Sequence, residues 1–112
     1  MYDRIKDDIL GIDYTLSIAF VSVEKSRELN KKYRRKDKPT NVLSFPYRKN
    51  EGEILLCKEV IRKEAKKLGR SYGEFLKFLV IHGMLHLKGM QHGRKMEAAE
   101  KKYLSRTKFS IR

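Results

Sequence analysis

The sequence predicts an α+β fold: a small mixed sheet with helices packed mainly on one face. Three observations predict it. "YTLSIAFVS" alternates with the period of a strand. "SYGEFLKFLVIHGMLHLKG" is apolar on nearly all sides, as a central buried helix must be. Strands and helices then follow one another without a strict strand–helix–strand rhythm. At 112 residues and 40% hydrophobic content, the chain is expected to form one domain over residues 1–112.

The elements follow in order. Tyr14, Leu16, Ile18 and Phe20 give the first strand one strongly apolar face. "VEKSRELNKKY" reads as a helix with Ser22 as N-cap and Glu24 in its first turn. "RRKDKPTNVLSFPY" opens as a polar loop, because Pro39 excludes helix there. Val42 to Phe45 are extended, and Pro46 marks an edge strand or a strand end. "GEILLCKE" is a short apolar strand. "KEVIRKEAKKLG" is an amphipathic helix with Val60, Ile61, Ala65 and Leu68 inward, stopped by Gly69. The buried helix starts at a capping box, Ser71 with Glu74, and ends at Gly89. "RKMEAAEKKYLSR" is a last, basic helix.

Lys and Arg outnumber Asp and Glu by 27 to 14, a formal charge of +13. Self-repulsion on that scale calls for a polyanionic partner, nucleic acid before an anionic membrane. The alternative is a thermophile's charged surface, which the single glutamine fits and the excess of cations does not. Cys57 is the only cysteine, so neither a disulfide framework nor a C-x-x-C motif exists; in its apolar strand it reads as a small core residue. "MYDRIKDDIL" lacks the apolar region of a signal peptide, and no apolar run is long enough to span a bilayer. A cytoplasmic protein with no membrane partner is expected.

All three histidines lie within "VIHGMLHLKGMQHG". His82 and His86 are i and i+4, so they share one face of the buried helix, beside Phe75, Phe78 and Leu79. Two buried imidazoles need partners, and one metal ion supplies both. Gly89 lets the chain turn so that His92 returns to the same point. Three imidazoles with an open fourth position characterise a catalytic zinc site; structural sites usually have four protein ligands. Imidazoles also accept Ni²⁺. The bland alternative, one or two satisfied core histidines, does not account for the triplet together with its helix and glycine. The frame is zincin-like: metzincin proteases share the spacing H-E-x-x-H-x-x-G-x-x-H. Their general-base Glu is here Gly83, so the ligand frame is kept and peptide hydrolysis by that mechanism is not.

At this point three segments resemble one family, the YbeY endoribonucleases. "HGMLHLKGMQH" is similar to its H-G-x-L-H-L-x-G-x-D-H, "YRRKDKPTNVLSFPY" to its Y-R-x-K-D-K-P-T-[DN]-V-L-S-F-P loop, and "GEILLC" to its G-D-[LI]-x-I-C strand. They occur in the family's order, from Tyr33 to His92. The resemblance implies that His82, His86 and His92 ligate zinc and that Arg34 is the functional arginine facing the metal cleft. It also implies cleavage of single-stranded RNA, action at the 3′ end of small-subunit rRNA, and a role in ribosome quality control. Three departures stand out. Gln91 replaces the family's Asp, keeping a hydrogen bond and losing a charge. Glu53 replaces another Asp. The family's opening strand and helix are expected to be missing here or reduced to "MYDRIKDDIL".

The expected chemistry is metal-assisted phosphodiester cleavage with His82 and Arg34 at its centre, Arg34 clamping the phosphate. The general base is unassigned; the metal hydroxide or the RNA's own 2′-OH can serve. Arg34, Arg35, Lys36 and Lys38, with Lys31 and Lys32 before them, are expected to contact phosphates. Further basic stretches run from Arg62 to Arg70 and from Arg94 to Arg112. Tyr33 and Tyr47 flank the loop and suit base stacking or packing equally. Ser44 and Thr40 lack a base at a recognised spacing and read as structural. Two rival readings remain: a metalloprotease or other metallohydrolase on the same three-His frame, and a non-catalytic RNA-binding, ribosome-associated module with a structural metal.

Overall fold

The computed structural model describes residues 2–110, with side chains to Arg106. The elements run α1 (Asp3–Leu10), β1 (Thr15–Phe20), α2 (Val23–Arg34), β2 (Val42–Arg48), β3 (Glu51–Leu56), α3 (Lys58–Leu68), α4 (Tyr72–Leu87) and α5 (Arg94–Ser110). The strands form one mixed sheet in the order β1-β3-β2. β1 runs parallel to β3, with Leu16, Ile18 and Phe20 beside Gly52, Ile54 and Leu56. β2 runs antiparallel to β3, and its register shifts between Pro46 and Arg48. Pro46 is tolerated because β2 is an edge strand.

The sheet and α4 sandwich the core. Ile54, Leu56, Ile61, Val80, Ile81, Met84 and Leu85 have at most 1% of their surface exposed. Each of the larger ones contributes about 1.5–3 kcal/mol of burial. At Gly83, α4 packs tightly against the sheet. A Cβ there would lie 3.0 Å from Ile54 Cδ1 and 3.1 Å from Ser44 Oγ. Ser44 Oγ in turn donates to the Gly83 carbonyl, 3.3 Å away.

α2 lies on the other side of the sheet. Ser44 faces α4, so by strand alternation Phe45 faces away, where it meets Tyr33 of α2 edge-on with centroids 5.1 Å apart. The buried residues of α2 are polar, Ser26 and Asn30. They hold the next loop: Asn30 Nδ2 donates to the Lys38 carbonyl (2.8 Å), and Ser26 Oγ accepts from the Thr40 amide (3.4 Å). Arg27 and Asp37 pair across the same loop at 2.8 Å, which holds the Asp37 carboxyl below its ordinary pKa.

Several features depart from the sequence reading; among them Leu68, expected inward on α3, is exposed near that helix's end. "DRIKDDIL" is a helix, α1, with Ile5 and Ile9 buried one turn apart beneath a charged outer face. The apolar face of β1 is only partly covered: Ile18 and Phe20 remain 36% and 49% exposed, because β1 is an edge strand and α4 packs mainly against β2, at the opposite edge. Cys57 is buried as expected, but it precedes α3 rather than lying within a strand. Among the described residues, no helix is long and apolar enough to cross a membrane.

Candidate metal centre

The site is assembled where α4 ends. Ser71 Oγ caps the helix start by accepting from the Glu74 amide at 3.1 Å. At the other end the Gly89 amide donates to the His86 carbonyl (2.9 Å) and the Met90 amide to the Leu85 carbonyl (3.0 Å). This paired closure is a Schellman turn, and Gly89 supplies its left-handed residue at φ 105°. The turn returns the chain so that His92 meets the two helical histidines. One nitrogen from each of His82, His86 and His92 lies within 4.8 Å of the others. Ring centroids are 4.5, 5.2 and 4.8 Å apart for His82–His86, His82–His92 and His86–His92.

The hydrogen bonds fix which nitrogens face inward. His82 Nδ1 lies 2.7 Å from Glu100 Oε2, and His86 Nδ1 lies 3.0 Å from the Met90 carbonyl. A carboxylate and a carbonyl only accept, so each ring carries its proton on Nδ1. Both Nε2 atoms are then bare lone pairs, yet they face each other at 3.1 Å. Two lone pairs at that distance repel unless a cation lies against both. The arrangement fits a metal, with His92 as the exposed third donor. Burial, then the neighbouring His82, lowers the pKa of His86 and keeps it in the neutral form a metal needs.

The histidines form one wall of a cleft of about 630 Å³, lined also by Arg34, Lys36, Asn41, Val42 and Ser44. Arg34 is the last residue of α2, and Arg35 caps that helix in the left-handed conformation (φ 60°, ψ 31°). That reversal brings Arg34 and Lys36 to the cleft, while the side chains of Arg35 and Lys38 do not line it. Desolvation lowers the pKa of Arg34 from its ordinary value, and no carboxylate among the described residues pairs with it. An anion entering the cleft is therefore offered an uncommitted guanidinium.

Among the other singled-out residues, Ser44 holds the Gly83 carbonyl, and Thr40 Oγ1 lies 3.5 Å from the Val42 carbonyl. Tyr33 and Tyr47 are more than half exposed on the far side of the sheet from α4, Tyr47 donating to Glu53 at 2.5 Å. Of the Arg62–Arg70 stretch, Arg70 approaches the site. Its guanidinium lies 5.5 Å from the Phe78 ring, and that ring is 6.0 Å from His82. The Arg94–Arg112 stretch lies on α5 and beyond; Lys108 and Arg112 fall outside the described side chains. Gln91, which stands where the family has Asp, is exposed. The carboxylate that does support a histidine, Glu100, escaped the sequence reading. Its one local signal was an acidic residue four positions after Met96 on the inward stripe of a basic helix.

Comparison with known proteins agrees with this geometry. A family model described as Endoribonuclease YbeY matches residues 3–109. An Endoribonuclease YbeY of Colwellia psychrerythraea is 44% identical over 95 residues, covering 79% of this chain and 61% of the relative. One from Staphylococcus carnosus is 36% identical over 118 residues, covering 95% and 76%. One from Chelativorans is 42% identical over 101 residues, covering 82% and 62%. The chain thus spans about three fifths of the length of the Colwellia and Chelativorans relatives. The solution structure of a Thermotoga maritima protein aligns with TM-score 0.66 and 31% identity, covering 91% of this chain and 73% of that one.

Proposed function

The chain belongs to the YbeY endoribonuclease family, and from that premise we propose that it is a zinc-dependent endoribonuclease acting on single-stranded RNA. The three clustered histidine nitrogens, beside an arginine that pairs with no described carboxylate, carry this reading. When bound, the metal supplies a Lewis acid and lowers the pKa of water to about 7; Ni²⁺ is an acceptable substitute for a three-imidazole set.

The chain's own residues supply the rest. Arg34 donates to the phosphoryl oxygens and offsets the charge that grows on them in the transition state. Lys36, on the same cleft, adds a point charge for the flanking backbone. Arg35 and Lys38 lie outside the lining and act on more distant phosphates. Among the described residues no acidic side chain lines the cleft, so none of them takes the nucleophile's proton as the metzincin Glu does. A single strand bends into such a cleft, whereas an A-form duplex holds its phosphates on a stiff outer wall. The substrate reading extends to rRNA of the small subunit at its 3′ end, to ribosome quality control, and to a cytoplasmic location.

The test is cleavage of a single-stranded RNA by the purified protein, with a chelator and then with zinc restored, beside a casein control. Loss and recovery of RNA cleavage with casein untouched is the expected result. RNA cleavage indifferent to the chelator overturns the proposal. His86→Ala should abolish cleavage and zinc content while circular dichroism stays native; unfolding instead would favour a structural metal.

A further inference from the structure

The cleft explains the inward side of the histidines; their outward side is where a new role emerges. Glu100 is 7% exposed on α5, and its partner among the described ion pairs is His82. The two side chains are 10% and 18% exposed at a separation of 2.7 Å. The other helical ligand, His86, is held by a neutral carbonyl within its own turn. None of the three clustered ligand candidates comes from α5, yet it places a carboxylate acceptor behind one of the three imidazoles.

We propose that Glu100 is a positioning residue for the metal centre. It holds His82 as the Nδ1–H tautomer, turns Nε2 into the cleft, and makes that nitrogen a stronger donor. The inference rests on the reading of the histidine triplet as a metal site. Were Glu100 only a strut between α4 and α5, any side chain of its size that accepts a hydrogen bond would serve. A negative charge behind a ligating imidazole raises its basicity toward the metal, which an amide does not match. The carboxylate also prevents the alternative tautomer, in which His82 would direct an N–H at the ion.

The experiment compares wild type, Glu100→Gln and Glu100→Ala. Zinc affinity is read by competition with a chromophoric chelator, and ligand geometry by the visible spectrum of the cobalt(II)-loaded protein. The melting temperature and the ¹⁵N shifts of the His82 ring are read on metal-free protein. We expect Gln to weaken zinc binding about 10-fold and Ala up to about 100-fold, with shifted cobalt bands. The metal-free Gln variant should melt within a few degrees of wild type. The Ala variant should lose the single Nδ1–H signature of the ring. Equal zinc affinity and unchanged cobalt spectra across the three proteins overturn the proposal while leaving the metal site intact. Failure of the wild type itself to bind either ion overturns the site reading, and this proposal with it.

Discussion

Gly83→Ala isolates the contact that sets α4 against the sheet. The added methyl would sit 3.0 Å from Ile54 Cδ1, 3.2 Å from Ile54 Cγ1 and 3.1 Å from Ser44 Oγ. Carbon atoms pack comfortably at about 3.5–4.0 Å, so roughly half an ångström must be found. Rotating the end of Ile54 moves Cδ1 but leaves Cγ1 in place, and a β-branched χ1 is stiff. Ile54 is also 0% exposed, so it cannot swing out into solvent. Overpacking of this kind costs about 1–3 kcal/mol, against a gain of about 1 kcal/mol in helix propensity. The net expectation is a loss of about 1 kcal/mol, near 4 °C in melting temperature for a chain of this size. Thermal and urea unfolding of the metal-free protein measure it. A variant as stable as wild type, or more stable, refutes the argument. The same contacts oppose Gly83→Glu, whose Cβ would already press on Ile54 and Ser44.

Other expectations follow from the site. Arg34→Ala should lower the cleavage rate about 10²–10³-fold with little change in stability, since no carboxylate among the described residues pairs with Arg34; Arg34→Lys should restore charge but not the bidentate clamp. Arg35→Gly should stabilise the fold by about 1 kcal/mol, because the left-handed backbone at φ 60° disfavours a side chain; chemical denaturation reads this. His86 has its pKa lowered mainly by burial, so the unfolded chain binds its proton first. Its contribution is complete above the ordinary value of 6.5 and is lost as pH falls from there through the lowered folded value. Urea unfolding of metal-free protein across that window should show the slope, and His86→Asn should flatten it.

Local pattern carried much of this molecule. The i, i+4 pair His82 and His86 and the glycine before His92 are properties of one helix and its stop, and the structure joins them. Pro46 announced an edge strand for the same local reason. What stayed hidden depends on neighbours distant in sequence. Glu100 reaches His82 across 18 residues through the packing of α5 on α4. Edge status left Ile18 and Phe20 half-exposed although their alternation is that of a covered strand. The dense charges of α1 masked Ile5 and Ile9, the i, i+4 signal that makes it a helix. Gly83 was legible as the absence of a base; its steric reason needed β3 and β2 in place.

The Schellman turn that stops α4 has an electrical consequence. A helix ends in a partial negative charge, and His86 lies in the last turn of α4. With Glu100 behind His82, this gives the ion a small negative seat inside a molecule of formal charge +13. Salt should then pull the two ligands in opposite directions. Raising ionic strength should screen the repulsion felt by an arriving divalent cation and so hasten its uptake, while on the proposed function it should loosen RNA by competing for the lysines and arginines.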